Sequence, residues 1–144
     1  MPDLQFSTEI HRPPEVVFEA LADITHYSRW LPPSKTYIGT VDISELPIKQ
    51  GTTYVDKNTT GDMRGDVREY QPYTGIAFHQ VGKRPDIEIT VRYRLTPIAQ
   101  GTRLERTTSI AFSGVYRLLQ PIAVPRIRQE NARTLALLKA YLEA

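Results

Sequence analysis

The sequence contains no cysteine. Disulfides, thiolate nucleophiles and zinc–sulfur sites are therefore excluded. No apolar run approaches the roughly 20 residues a membrane-spanning helix needs. The opening MPDLQFSTEI lacks a basic segment followed by an apolar one, so no export signal is read and a cytoplasmic location is expected. An excess of one charge is also missing: 18 Lys and Arg stand against 16 Asp and Glu, for a net charge of +2. That balance argues against nucleic acid as a partner, which a concentrated basic face would recognise. The three histidines, His11, His26 and His79, have no ligand spacing, so no metal is expected. There is no phosphate-binding loop, dinucleotide fingerprint or nucleophile elbow, and no cofactor is expected.

What is present is a chain of 144 residues with 40% hydrophobic and 24% charged side chains. This suits one domain, residues 1–144, with a core of its own. Residues 3–11 alternate, with Leu4, Phe6, Thr8 and Ile10 on one face, which predicts a half-buried strand. Pro13 and Pro14 can open a helix carrying Val17, Phe18, Ala20, Leu21 and Ile24 as its apolar stripe. Asp23 or Thr25 can cap a second short helix over HYSRWL, which Pro32 and Pro33 stop. Six more strands follow: TYIGTVDI, GTTYVDKN, GDMRGDVREY entered through Thr60-Gly61, GIAFHQVG, DIEITVRYRLTPI and TRLERTTSIAFSG. Their short connections predict antiparallel pairing. From Val115 the period changes. Leu118, Leu119, Ile122, Ile127, Leu135, Leu138 and Leu142 space as one helical face, with the regular helix expected from near Pro125.

This order predicts an α+β domain: a seven-stranded curled antiparallel sheet around a long C-terminal helix, with two short helices between strands 1 and 2. Pro14-Glu15-Val16-Val17-Phe18 with Leu21, Asp23 and Trp30, then RGDVREYQPYTGIAF, GTRLERT and the final LLKAYLEA, resemble the START-like (SRPBCC) superfamily. The nearest resemblance is to its polyketide cyclase/dehydrase-like members. It implies the helix-grip fold and a deep apolar pocket between sheet and C-terminal helix that takes up hydrophobic small molecules. Within such a fold, function is carried by the site and not by the architecture.

The faces that would line such a pocket supply candidates for ligand binding. They are Tyr54, Met63, Val67 and Phe78 on the middle strands; Ile89, Val91 and Tyr93 on the longest strand; and Arg106 and Thr108 on the last one. The helix adds Ile122, Ile127 and Asn131, with Glu130 beside them, and Trp30 is placed at the entrance. Arg106 interrupts an apolar row. A buried guanidinium needs a partner, and Glu69 or Asp56, or an anionic ligand, can serve; alternatively, a bulge turns the face over or Arg106 sits at a wet rim. No catalytic set is assigned, but Arg106, Tyr54 and Glu69 are the candidates for orienting or acid–base roles. His79 has the parity of the outer face. The functional expectation is binding or transport of a hydrophobic or amphipathic small molecule, with oligomeric state open. The alternatives are a cyclase or dehydratase, and a module that binds a protein over its sheet edge or the basic flank of its last helix.

Overall fold

Period-two alternation becomes seven strands in the computed structural model, which describes residues 3–34, 37–59 and 61–144. In chain order the elements are β1 (Asp3–Ile10), α1 (Pro14–Ala22), a 3₁₀ helix (Ile24–Arg29), β2 (Gly39–Val41), β3 (Thr53–Lys57) and β4 (Met63–Gln71). Then come β5 (Gly75–Lys83), β6 (Asp86–Ile98), β7 (Gly101–Phe112), a second 3₁₀ helix (Gly114–Leu119) and α2 (Gln120–Glu143). The strands form one antiparallel sheet in the order β1-β7-β6-β5-β4-β3-β2. β1 and β2 are consecutive strands, yet they lie at opposite edges. The segment between them must cross the sheet, and α1 and its 3₁₀ helix do so while covering one end of it.

α1 begins at Pro14, in the first turn, where a missing N–H costs no helical bond. It buries Val17, Phe18 and Leu21 on the sheet side, each contributing about 1.5–3 kcal/mol. Asp23 sits at the cap position of the 3₁₀ helix but caps no backbone N–H. Its carboxylate instead accepts from the Thr25 hydroxyl at 2.8 Å and meets His26 Nδ1 at 2.9 Å. The β6–β7 hairpin closes on Gly101, whose φ is +153°. A side chain there would meet the Ile10 carbonyl oxygen at 2.1 Å, so glycine is required.

Two expectations about element limits change. The strand anticipated over TYIGTVDI narrows to Gly39–Val41, because Asp42 turns to a φ of 53° and ends the extended run; Thr36, like Thr60, lies outside the described residues. The last helix becomes regular at Gln120 and not near Pro125. Pro121 occupies the first turn at no cost, and Pro125, inside the helix, lacks the N–H that would have bonded to the carbonyl four residues earlier, yet does not end it.

The anticipated apolar face of α2 is buried only over its second half. Leu135, Leu138 and Leu142 are in the core, whereas Leu118 and Ile122 are 77% and 61% exposed. The helix end is tied down: Arg12 Nη1 donates to the Leu142 carbonyl at 2.9 Å, and Glu143 accepts from the His11 N–H at 2.9 Å. Among the described residues, no helix is long and apolar enough to cross a membrane.

Candidate functional site

The curled sheet and the single helix laid in it do not fill the space between them. A cavity of about 190 Å³ remains, open to solvent on one side. Phe78, Ile89 and Val91 floor it from β5 and β6, Ile127 and Thr134 roof it from α2, and Ile24 and Tyr27 close it from the first 3₁₀ helix. Tyr27 is a buried phenol that donates to the Leu21 carbonyl, and burial holds its pKa well above the usual tyrosine value, so it stays neutral.

Two polar clusters interrupt the apolar lining. The first centres on Arg106, half-buried on β7. Its Nε donates to Asn131 Oδ1 at 2.5 Å and its Nη1 donates to the Tyr93 hydroxyl. The guanidinium carbon is 5.2 Å from the Tyr93 ring centroid, a cation–π distance. Asn131 is buried on α2: its Oδ1 also accepts from Thr108 Oγ1 at 2.7 Å, and its Nδ2 donates to the Ile127 carbonyl at 2.6 Å. These partners are all neutral. Glu130 also lines the cavity, but its carboxylate accepts from Arg133 Nη1 at 2.8 Å. The Arg106 charge is therefore partly desolvated, and among the described residues no carboxylate is ion-paired with it.

The second cluster centres on Asp56 of β3. Oδ1 accepts from Thr40 Oγ1 at 2.8 Å, and Oδ2 accepts from Gln80 Nε2 at 2.6 Å. Gln80 Nε2 also donates to the Tyr54 hydroxyl at 3.0 Å. Thr40 gives its proton to Asp56, so the Tyr37 hydroxyl, 2.8 Å away, donates to Thr40. Burial pushes the Asp56 carboxyl up to about 6, against the opposing pull of the Thr40 and Gln80 hydrogen bonds. Burial, reinforced by the Asp56 charge, raises the Tyr54 phenol as well. The Tyr54 ring lies on Gly65, its cross-strand partner, and a β-carbon at Gly65 would come within 2.3 Å of it.

Of the residues anticipated from the sequence, the cavity brings together Tyr54, Met63, Phe78, Ile89, Val91, Tyr93, Arg106, Thr108, Ile127 and Asn131. Four others lie elsewhere. Glu69 is corrected in placement: a bulge between Val67 and Glu69 shifts the strand parity. Tyr70 consequently packs inward on Phe18, while Glu69 accepts from Arg92 Nε at 2.9 Å on the outer face. Val67 is fully buried in the core and does not line the cavity. Trp30 packs beside Tyr27, with ring centroids 4.9 Å apart, and anchors its helix. Ile122 is on the surface, for the reason given above. His79 is on the outer face, where its Nε2 lies 2.6 Å from Glu88 and its Nδ1 accepts from Arg68 Nη2 at 2.8 Å.

Thr40, Gln80 and the acidic role of Asp56 were not singled out as site residues. Parity alone finds Gln80, which shares the face of Phe78; Asp56, on the face of Tyr54, is anticipated as a partner for Arg106 and instead bonds Thr40 and Gln80. Thr40 carried no such signal, because its strand is only three residues long.

A family model described as "Polyketide cyclase / dehydrase and lipid transport" matches residues 1–143. No curated protein matches the sequence. Among solved structures, a Mesorhizobium loti protein, MLL2253, is 17% identical, with a TM-score of 0.75 over 96% of this chain and 95% of its own. The Aha1 dimer from Colwellia psychrerythraea is 19% identical, with a TM-score of 0.71 over 99% and 97%. The di-domain ARO/CYC StfQ from the steffimycin biosynthetic pathway is 16% identical, with a TM-score of 0.76; the match covers 98% of this chain and 50% of StfQ. Identities this low establish a shared fold.

Proposed function

The chain belongs to the polyketide cyclase / dehydrase and lipid transport family, and from that premise we propose that its cavity binds a small hydrophobic or amphipathic molecule with an anionic or enolisable oxygen. The carrying observation is Arg106, a guanidinium facing an apolar cavity with only neutral partners. Its five N–H donors are not exhausted by Asn131 and Tyr93. A guest oxygen at Nη2 would supply the missing counter-charge in a site of low dielectric, where such a bond is strong. The volume bounds the guest. A cavity of about 150 Å³ takes benzene, so about 190 Å³ with one open side suits a substituted ring or a fused pair whose tail reaches out.

An aromatic carboxylate, 2-naphthoate, is a suitable probe. Titrated calorimetrically, it should bind the native protein at one site. Arg106→Ala should weaken it by about 10- to 100-fold, the worth of one or two charge-assisted hydrogen bonds. Equal affinity for both proteins would remove Arg106 from the role given to it.

A second reading, a cyclase or dehydratase, is favoured by one observation: an acid–base group near neutrality and a cation line the same cavity. In that reading Asp56 takes a proton from the carbon beside a carbonyl, and Arg106 with Tyr93 holds the enolate oxygen. Such an enzyme would show a pH–rate limb near 6 that Asp56→Asn abolishes. A limb unchanged by that substitution would leave binding as the only reading.

A further inference from the structure

The segment between β7 and the buried half of α2 presents its apolar side chains to solvent. Val115 is 72% exposed, Leu118 77%, Leu119 40% and Ile122 61%. Single exposed aliphatics are ordinary on a folded protein; a cluster of them within eight residues is a patch. Leu118 and Ile122 are four residues apart, the spacing of one helical face. The segment is not loosely attached. Tyr116, Ala123 and Val124 pack inward on Leu4, Ile87, Ile110 and Phe112, and the Ser113 N–H donates to the Asp86 carbonyl at 3.0 Å. The aliphatic side chains are therefore held outward by a fixed scaffold.

The segment itself carries charge of one sign. Arg117, Arg126 and Arg128 lie on the same segment, and no acidic residue occurs from 106 to 129. The Ser113–Asp86 bond brings in the β5–β6 hairpin, which exposes Lys83 and Arg84 and has Asp86 as its acidic side chain. With Lys83 and Arg84, the three segment arginines make five cations; Glu88, opposite Ala111, and Asp3, opposite Ser109, are exposed carboxylates on the adjoining strand ends, so the positive excess belongs to the segment itself. Among the described residues, none of the five is ion-paired with a carboxylate.

We infer that this end of the molecule docks on an anionic phospholipid surface, with Val115, Leu118, Leu119 and Ile122 entering the interface and the surrounding Arg and Lys side chains meeting the headgroups. Aliphatic tips ringed by cations are the chemistry of peripheral membrane contact. The arrangement disfavours a second copy of this chain as the occupant. A two-fold contact would set the same cations against one another, whereas an anionic bilayer supplies the opposite charge over the whole footprint. The patch also adjoins the cavity, because Met63, Ile89 and Ile127 belong both to the cavity lining and to the cluster beneath the segment. The inference rests on the surface and not on what occupies the cavity.

The test is sedimentation of the full chain with phosphatidylcholine vesicles, with and without phosphatidylserine. The native protein should pellet with the phosphatidylserine vesicles alone and be released by high salt. The double variant Leu118→Ser with Ile122→Ser changes only exposed positions, so it should keep its thermal melt and lose vesicle binding. Arg117→Gln should weaken binding by about fivefold, the effect of one basic residue at an anionic surface. A native chain that stays in the supernatant, or a double variant that binds as well as native, overturns the inference. A chain that ignores vesicles yet dimerises through Leu118 and Ile122 also overturns it, in favour of an interface between copies.

Discussion

Asp56 and Arg106 show how far a single residue's environment can depart from what its type suggests. Arg106 was legible because it broke an apolar row, and a charge in such a row demands an explanation. Asp56 had the right parity but gave no sign that Thr40 and Gln80 would hold it, since both contacts cross strands that the sequence does not align. Its raised pKa has a consequence for stability. A carboxyl whose pKa rises on folding binds its proton more tightly in the folded state. The resulting stabilisation is complete below the unfolded value of about 4 and is lost as pH rises through about 6. Asp56→Asn has no proton to release, so its stability relative to the native protein should climb between pH 4 and pH 7, by about 2 kcal/mol. Urea midpoints of both proteins at the two pH values measure this. A gap independent of pH would mean that Asp56 titrates as an ordinary surface carboxylate.

At the scale of elements, α2 is two structures in one helix. The long strands β6 and β7 were readable residue by residue, because one face is buried throughout and a slip of one position would invert it. The helix was not, because apolar spacing shows which side chains share a face and not whether anything covers that face. Leu138 and Ile122 belong to the same sequence stripe, yet one is in the core and the other is 61% exposed. Leu138→Ala should therefore cost about 2–5 kcal/mol, and Ile122→Ala should change stability by no more than about 0.5 kcal/mol. Chemical denaturation of the two variants decides this; equal losses would show that the Ile122 face of α2 is covered. The bulge in β4 is a second case. It adds a residue without a signature in RGDVREY, and it moved Glu69 from the inner to the outer face.

The molecule as a whole follows from a geometric mismatch. Seven antiparallel strands curl into a trough, and one helix, whose buried side chains are confined to Asn131 and beyond, does not fill it. The middle stays open between the β5 and β6 side chains and α2, and the crossing segment with Tyr27 and Ile24 closes one side. The architecture could be read from strand count and turn chemistry, and the cavity's walls from parity. The cavity's polar wiring could not, because it depends on register across the sheet. The most direct test of the central claim, that this cavity is a binding site, is methyl-resolved NMR during titration with 2-naphthoate. The Ile89, Val91 and Ile127 methyls, from both walls of the cavity, should shift together while those of Val115 and Leu118 stay still. Shifts confined to the exposed segment, or none at the three cavity residues, would contradict it.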